Sequence, residues 1–193
     1  MKETTAYWET RYRNNETGWD IGYPSPPLKD YIDQLKDKSI RILIPGAGNG
    51  YEAEYLFRNG FTDITVLDVA AAPLNNLKER IPEFPADNLI QENFFEHSGQ
   101  YQLIIEQTFF CALDPNLRSA YAEKMHELMM SGAKLAGLLF DFPLTESGPP
   151  FGGCKEEYLE YFRDLFRILT LENCYNSIKP RQGKELFFIF EKN

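Results

Sequence analysis

A short apolar run that leads into three alternating glycines constrains this chain more than any other feature. Residues 41–45 read RILIP, and Gly46, Gly48 and Gly50 follow them before a helical pattern begins at Tyr51. Glycine lets the backbone reverse tightly and approach a ligand without a Cβ clash, and the helix that follows offers unpaired N–H groups. The pattern predicts a strand, a ligand-binding loop and a helix, which would suit either a dinucleotide or S-adenosylmethionine.

Of two residues outside the glycines, one disfavours a dinucleotide and the other favours the binding of an adenosine-containing ligand. The dinucleotide fingerprint needs a small residue at position 51, where helix and strand pack closely, and this chain has Tyr51 there. Asp68 ends the next apolar run, ITVLD, 20 residues after Gly48. A carboxylate at that place can accept both ribose hydroxyls of an adenosine. The glycines alone would also fit a tight turn without a ligand, but the acid at the strand end favours binding.

From Ser39 onward, short β-rich runs alternate with amphipathic stretches, which predicts βαβ units and a mostly parallel sheet. We predict helices from Tyr51 to Asn59, from Asp114 to Met130, and from Lys155 through Phe166. Seven strands are predicted, at residues 41–45, 64–68, 88–91, 101–106, 134–140, 170–175 and 185–191.

Two segments rich in Pro and Gly, residues 21–28 and 142–153, interrupt this alternation. We predict ordered surface loops for both. The second follows a strand directly, so it should emerge at the carboxyl edge of the sheet, where ligands of open α/β folds bind.

Length and charge restrict the class of protein. The 193 residues predict one domain, 1–193, because domains most often span ~100 to 150 residues. The net charge is -9 and the 20 Lys and Arg residues are scattered, which argues against a nucleic-acid partner. No apolar run approaches the ~20 residues of a membrane span. Three cysteines without metal spacing predict no metal site and a reducing cytoplasm, and we expect a monomer.

The ends of the third and fourth predicted strands carry further candidate site residues. The third ends in QENFF, where Asn93 could bind an adenine by hydrogen bonding and Phe94 by ring contact, although Phe94 could equally belong to the core. The fourth ends at Glu106 and Gln107 and is followed by TFFCAL. If the first strand holds the cofactor loop, this neighbouring strand end faces the reacting group.

Four strings taken together resemble the thiopurine S-methyltransferase superfamily, which includes plant thiol and halide methyltransferases. They are IPGAGNG at 44–50, TFFCALDP at 108–115, LRSAYAEKM at 117–125 and GPPF at 148–151. The resemblance extends from Trp8 to the last strand. It implies the class I methyltransferase fold, a Rossmann-like α/β fold with a seven-stranded, mostly parallel sheet, an antiparallel last strand and helices on both faces. It also implies that residues 1–38 form an aromatic segment covering the cofactor and that residues 39–193 form the Rossmann-like core.

The same resemblance implies a set of residues that bind S-adenosylmethionine. The set comprises an aromatic cluster, the glycine loop, the acid that binds the ribose together with the residue after it, two contacts to the adenine, and a pair at the end of the fourth strand near the methionine portion. In that order, the residues are Trp8, Tyr12, Trp19, Gly46, Gly48, Gly50, Asp68, Val69, Asn93, Phe94, Glu106 and Gln107. Some positions depart from the family. Tyr12 stands where relatives often have Trp, Asn93 replaces the usual Asp, and Gln107 replaces the Tyr of plant halide enzymes, which argues against halide specificity.

For the acceptor pocket, the resemblance and the loop motifs give Phe109, Phe110, Arg118, Pro150 and Phe151. Arg118 matches an arginine that faces the active site in thiopurine enzymes; its alternative is a helix charge paired with Glu123 or Asp114. The predicted reaction is direct SN2 transfer of the methyl group to a small soft nucleophile, a thiol, a halide or a thiopurine-like acceptor, in a dry aromatic pocket. A thiol is partly ionised near neutrality, so the sequence requires no dedicated base.

Other functions remain open at this point. A catalytically silent cofactor-binding or partner-binding module would keep the same glycine loop. A nicotinamide oxidoreductase is disfavoured by Tyr51 and by the lack of room for a substrate domain. We assign no catalytic role to His97 or His126 and interpret Cys111 as a small buried side chain.

Overall fold

A seven-stranded sheet forms the centre of the molecule in a computed structural model that describes residues 5–193. Its strands are β1 (Ile42–Pro45), β2 (Ile64–Asp68), β3 (Leu89–Gln91), β4 (Tyr101–Gln107), β5 (Met129–Phe140), β6 (Phe166–Asn173) and β7 (Glu185–Lys192). They lie in the order β3-β2-β1-β4-β5-β7-β6. The first five strands are parallel to one another, and β7 runs antiparallel to both β5 and β6. The predicted mostly parallel sheet with an antiparallel last strand is therefore confirmed.

Helices cover both faces of the sheet. They are α1 (Thr5–Arg13), α2 (Pro26–Asp33), α3 (Tyr51–Arg58), α4 (Ala71–Arg80), α5 (Arg118–Leu128) and α6 (Lys155–Phe162). Successive residues of a strand point to opposite faces, so the strands contribute alternately to two apolar clusters. Leu43 packs with α5 and α6, whereas Ile42 and Ile44 pack with α2, α3 and α4. Within the described part of the chain, no helix is long and apolar enough to cross a membrane.

Three predicted boundaries are wrong at the ends of α5 and α6 and at the strands that follow them. The helix predicted to continue to Phe166 ends at Phe162, and β6 begins at Phe166 rather than at Thr170. Phe162 and Phe166 are four residues apart, a spacing that fits one face of a helix, and both side chains pack in the same apolar cluster. Phe166 nevertheless belongs to the sheet, because its backbone pairs with β7. In the same way, β5 begins at Met129, directly after α5.

The prediction of a surface loop at residues 21–28 is wrong at its end. Pro26 begins α2, and Leu28 and Ile32 are fully buried. Proline suits the first turn of a helix because the N–H groups of that turn have no hydrogen-bond acceptor within the helix, so the absence of an N–H costs nothing there. The sequence patterns predict neither α1, α2 nor α4, whereas the left-handed residue that closes α3, Gly60 at φ +87°, is as predicted.

Candidate active site

A cavity of about 470 Å³ opens at the carboxyl edge of the sheet. Parallel strands end at the same edge, so the residues that follow β1, β2, β3, β4 and β5 all reach it. Most of the residues predicted to form the site line this cavity: Trp8, Tyr12, Trp19, Gly46, Gly48, Asp68, Val69, Asn93, Phe94, Gln107, Phe109 and Pro150. Five predicted residues do not line it, namely Gly50, Glu106, Phe110, Arg118 and Phe151.

Asp68 holds the glycine loop against the end of β2. Its carboxylate accepts hydrogen bonds from the backbone N–H groups of Gly48 and Ala70, each at 2.9 Å. Burial of the side chain raises the pKa of Asp68 to about 6, and the two N–H donors oppose that rise. Near neutral pH the carboxylate is therefore ionised, fixed in orientation and placed on the cavity wall.

All three glycines of the loop have positive φ, and a Cβ at any of them would lie close to a neighbouring side chain. Gly46 has φ +57°, and a Cβ there would lie 2.2 Å from Cδ2 of Phe109. Gly48 has φ +54°, and a Cβ there would lie 3.1 Å from the hydroxyl oxygen of Tyr12. Gly50 instead faces Leu77 of α4, so it shapes the packing of α3 on α4 and does not line the cavity.

An aromatic cover lies over the glycine loop, formed by Trp8, Tyr12 and Trp19. The rings meet edge to face, with centroids 5.4 Å apart for Trp8 and Trp19 and 5.7 Å apart for Tyr12 and Trp19. Arg181 donates a hydrogen bond to the Trp19 carbonyl at 2.7 Å. Burial raises the pKa of the Tyr12 hydroxyl, so that group stays protonated and available as a donor.

The segment after β3 supplies the wall next to Asp68. Asn93 accepts a hydrogen bond from the Phe95 N–H at 3.2 Å, and Phe94 meets Phe109 edge to face at 5.2 Å. His97 is buried beneath this wall, with Nδ1 bonded to Glu92 and Nε2 bonded to the hydroxyl of Tyr101 at 2.7 Å. Both ring nitrogens of His97 are thus occupied.

Glu106, predicted to bind the cofactor, lies beneath the cavity rather than in its wall. It is fully buried, and its carboxylate accepts hydrogen bonds from the N–H groups of Phe109 at 2.8 Å and Phe110 at 3.0 Å and from the Tyr121 hydroxyl at 2.5 Å. Burial raises its pKa to about 7. Because β-branched residues rarely adopt positive φ, Thr108 at +56° marks a strained turn that Glu106 holds in place.

Gln107, the neighbour of Glu106, does line the cavity. Its side-chain Oε1 is buried and has no hydrogen-bond partner within residues 5–193. A buried polar atom without a partner is uncommon in a folded protein. This atom is therefore a candidate acceptor for a donor group on a ligand.

Arg118 joins three elements and does not face the cavity. The fully buried guanidinium donates to Glu157 of α6 at 2.6 Å and to the carbonyl of Gly152 at 2.7 Å, and it lies 4.8 Å from the centre of the Phe110 ring. Arg118, predicted to face the acceptor, therefore does not line the cavity, and among the described residues its partner is Glu157 rather than Glu123 or Asp114. Phe110 is buried beside it.

Phe151 is also kept out of the cavity by its packing. It is buried, and its N–H donates to the carbonyl of Cys111 at 2.7 Å. Cys111 is itself buried, as predicted, and burial raises the pKa of its thiol. A thiol in that state is a poor nucleophile.

Arg181 and Glu52 line the cavity, and the sequence analysis singled out neither of them. Arg181, just before β7, forms an ion pair with Glu185 at 3.5 Å and lies 5.8 Å from the centre of the Phe140 ring at the end of β5. Glu52, in the first turn of α3, is buried and accepts a hydrogen bond from the Ser25 N–H at 2.9 Å. The position of Glu52, two residues after the last glycine, was the one sequence signal that could have found it.

No cluster of three or more His, Cys, Asp or Glu side chains suited to a metal ion occurs among residues 5–193. Small organic ligands commonly bind in concave sites of ~300 to 1,000 Å³, and the volume of this cavity lies within that range.

Comparison with known proteins agrees with this geometry. The model of the thiopurine S-methyltransferase family matches residues 3–192. The chain is 27% identical to probable thiol methyltransferase 2 from Arabidopsis thaliana, over 95% of this chain and 84% of that protein. It is 26% identical to thiocyanate methyltransferase 1 from Brassica oleracea, over 92% and 81% of the two chains.

A solved structure shows the same fold at low sequence identity. It is that of 1,6-didemethyltoxoflavin-N1-methyltransferase from Burkholderia thailandensis with bound 1,6-didemethyltoxoflavin and S-adenosylhomocysteine. The TM-score is 0.79 at 15% identity, over 98% of this chain and 87% of that one.

Proposed function

The chain belongs to the thiopurine S-methyltransferase family, and we propose that it transfers the methyl group of S-adenosylmethionine to a small thiol or another soft nucleophile. Family membership makes it an S-adenosylmethionine-dependent methyltransferase. The choice of acceptor and the role of each residue are the proposal. The observation that carries it is the Asp68 carboxylate, fixed beside the glycine loop on the wall of the cavity.

The order of the strands supports a placement for each part of the cofactor. Along the edge of the sheet, the segment after β3 lies beside β2, then β1, then β4. Asn93 and Phe94 would hold the adenine, Asp68 the ribose hydroxyls, and the loop at Gly46 and Gly48 the chain beyond the ribose. The unpartnered Oε1 of Gln107 at the end of β4 would accept a hydrogen bond from the amino group of the methionine portion.

The acceptor would then bind on the other side of β4, near the end of β5. Phe140, Pro150 and Phe109 give this part an apolar wall, and Arg181 and Glu52 give it two charged groups. One cavity of about 470 Å³ must hold both the cofactor and the acceptor, which favours a small acceptor.

The walls suit the chemistry of methyl transfer. When bound, the cofactor supplies a methyl group on a positively charged sulfur, and transfer to a nucleophile removes that charge. Aromatic faces can stabilise a cation by ~0.5 to 2 kcal/mol, and exclusion of water weakens the hydration of the nucleophile. Positioning of the nucleophile ~3 to 3.5 Å from the methyl carbon supplies much of the rate.

Two measurements test the proposal. We expect S-adenosylmethionine and S-adenosylhomocysteine, but not NAD, to raise the melting temperature of the protein. We then expect the protein to methylate at least one member of a panel of thiols, selenols, thiocyanate and iodide. Detection of the volatile methylated products measures this activity. Binding without any turnover would favour the silent cofactor-binding module, and stabilisation by NAD alone would overturn the proposal.

A further inference from the structure

We propose that Glu52 is the general base that takes the proton from a neutral acceptor, and that the site therefore prefers neutral thiols to acceptors that are already anions. This inference rests on the proposed function and deepens it, because it assigns both a substrate class and a catalytic residue. It rests on the position of one buried carboxylate and on the charges around the cavity.

Glu52 is buried yet lines the cavity, near Arg181, which in turn lies beside the Phe140 ring. Its side chain is 6% exposed, and Oε1 accepts the hydrogen bond from the Ser25 N–H. Within residues 5–193, no side chain donates a hydrogen bond to this carboxylate. The charged groups that face it are Arg181 from the segment before β7 and Asp20 from the segment before α2. One oxygen is thus held, and the other is available to a ligand.

The surroundings tune this carboxylate for proton transfer. Burial raises the pKa of Glu52 above its ordinary value, while the Ser25 N–H and the positive charge of Arg181 oppose that rise. A base whose pKa is raised toward the operating pH holds an abstracted proton better than an exposed glutamate does. The base works only when ionised, so activity should fall as the pH drops through this raised pKa.

The other buried acid-base groups near the cavity are already occupied. Asp68 accepts two backbone hydrogen bonds, and Glu106 accepts three hydrogen bonds outside the cavity. His97 is bonded through both ring nitrogens. Among the described residues, Glu52 is the buried acid of the cavity wall that keeps an oxygen without a hydrogen bond.

The charge of the cavity wall disfavours anionic acceptors. Five acidic residues and two arginines line it: Asp20, Glu52, Asp68, Glu92, Asp114, Arg11 and Arg181. The positive charge of Arg181 is already paired with Glu185. An anion entering this cavity meets a net negative wall, which the positive charge of the bound cofactor offsets only in part, and charge interactions are strong in a water-poor site. A neutral thiol avoids that repulsion but must lose its proton inside.

The step balances as follows. The S–H proton of the thiol moves to a carboxylate oxygen of Glu52 as a sulfur lone pair forms the bond to the methyl carbon. The bond between that carbon and the sulfonium sulfur breaks, and its electron pair stays on that sulfur. The products are a neutral methyl thioether, neutral S-adenosylhomocysteine sulfur and protonated Glu52, which releases its proton to water when the product leaves.

The test compares an acceptor that carries a proton with one that does not. Glu52→Gln keeps an oxygen for the Ser25 N–H and removes the base. At pH 7 about 3% of a thiol with pKa ~8.5 is already thiolate, so we expect its initial rate to fall roughly 10- to 30-fold and to recover toward pH 9. With thiocyanate, which has no proton to lose, we expect an unchanged or higher rate.

Two further variants separate this role from structural and electrostatic effects. Glu185→Gln removes another buried negative charge beside Arg181, and we expect its rate with the neutral thiol to stay within about threefold of wild type. Glu52→Asp keeps a carboxylate, so the ratio of its thiol rate to its thiocyanate rate should lie between the ratio of Glu52→Gln and that of the wild type. Melting temperature and S-adenosylhomocysteine affinity establish that each variant is folded.

The outcomes are distinguishable. Equal losses on thiol and thiocyanate in Glu52→Gln, or a thiol loss that persists at pH 9, would overturn the role of Glu52 while leaving the methyltransferase assignment in place. A wild-type protein that methylates neither acceptor would overturn the proposed function and this inference with it. A wild-type preference for thiocyanate over neutral thiols would contradict the proposed substrate class.

Discussion

The Asp68 carboxylate and the Gly48 N–H are hydrogen-bonded at 2.9 Å, although 20 residues of sequence separate them. This bond joins the end of β2 to the loop that follows β1. The same carboxylate therefore shapes the loop and faces the cavity that the loop lines.

Replacement of Asp68 should abolish cofactor binding while the fold is kept. Asp68→Ala removes the acceptor of two ribose hydroxyls, and hydrogen bonds to a charged group contribute ~1.5 to 3 kcal/mol each, so we expect at least a ~100-fold loss of S-adenosylhomocysteine affinity. Calorimetry measures the affinity and circular dichroism the fold. Asp63→Ala, an exposed acid near the start of β2, is the control. Unchanged affinity in Asp68→Ala would remove this assignment.

Cofactor affinity should fall in mild acid without loss of stability. The pKa of Asp68 is about 6, so its carboxyl group becomes neutral below that pH and binds the ribose less well. A folded-state pKa above the ordinary value means that the folded protein binds this proton more tightly than the unfolded chain does. This group therefore adds stability as the pH falls from 7 toward 4. Calorimetric titrations and melting curves at pH 5, 6, 7 and 8 test both trends, and a parallel fall of both would contradict the prediction.

Gly46 should tolerate no side chain. Gly46→Ala places a Cβ 2.2 Å from the Phe109 ring at positive φ, and we expect a loss of about 2 to 4 kcal/mol of folding stability, or about 4 to 15 °C in melting temperature. Gly183→Ala is a matched control, because Gly183 also has positive φ but no described heavy atom lies within 4 Å of its Cβ position. Its loss should be about 1 kcal/mol. Equal losses in the two variants would show that the contact with Phe109 contributes nothing.

Arg118 should matter for stability rather than for binding of the acceptor. Arg118→Met leaves Glu157 and the Gly152 carbonyl without their donor, and loss of one partner of a buried pair typically costs ~3 to 5 kcal/mol. Arg118→Lys keeps the charge but not the two-pronged geometry, so its loss should be smaller. Thermal melting and acceptor KM are the measurements. An unchanged melting temperature with a raised KM would instead restore the substrate contact predicted from the sequence.

The bond from Tyr121 to Glu106 should stabilise the protein more at high pH than at low pH. Tyr121→Phe removes a donor to the Glu106 carboxylate and raises the pKa of that group further above 7. Loss of a hydrogen bond to a buried charge costs ~1 to 3 kcal/mol, and this loss applies only while Glu106 is ionised. We expect the difference in melting temperature from wild type to be larger at pH 8.5 than at pH 6. A difference independent of pH would contradict this account.

Local patterns were sufficient where a single stretch of chain determines the structure. The seven strands, the glycine loop and the turn at Gly60 each follow from consecutive residues and are present. The boundary between α6 and β6 was missed because Phe162 and Phe166 serve one apolar cluster in either conformation. Pairing with β7, far along the chain, decides between the two.

The site shows the same division. Twelve of the predicted residues line the cavity, and each lies at a strand end, in a motif or in a cluster matched by family resemblance. Arg118 and Glu106 were assigned to the site because their positions matched the family, but burial and hydrogen bonding turn them away from it. Arg181 was missed because only the tertiary fold brings it to the Trp19 carbonyl.

The hydrogen bond from Arg181 to the Trp19 carbonyl joins residues 162 positions apart. During synthesis by the ribosome, Trp19 therefore emerges long before Arg181, and this hydrogen bond forms only after almost the whole chain has been made. Because chains emerge at ~5 to 20 residues per second, the Trp19 carbonyl lacks its Arg181 donor for about ten seconds or longer. A nascent chain stalled before Arg181 would carry the glycine loop, Asp68 and the apolar residues of the acceptor wall, but it would lack the arginine that holds the aromatic cover.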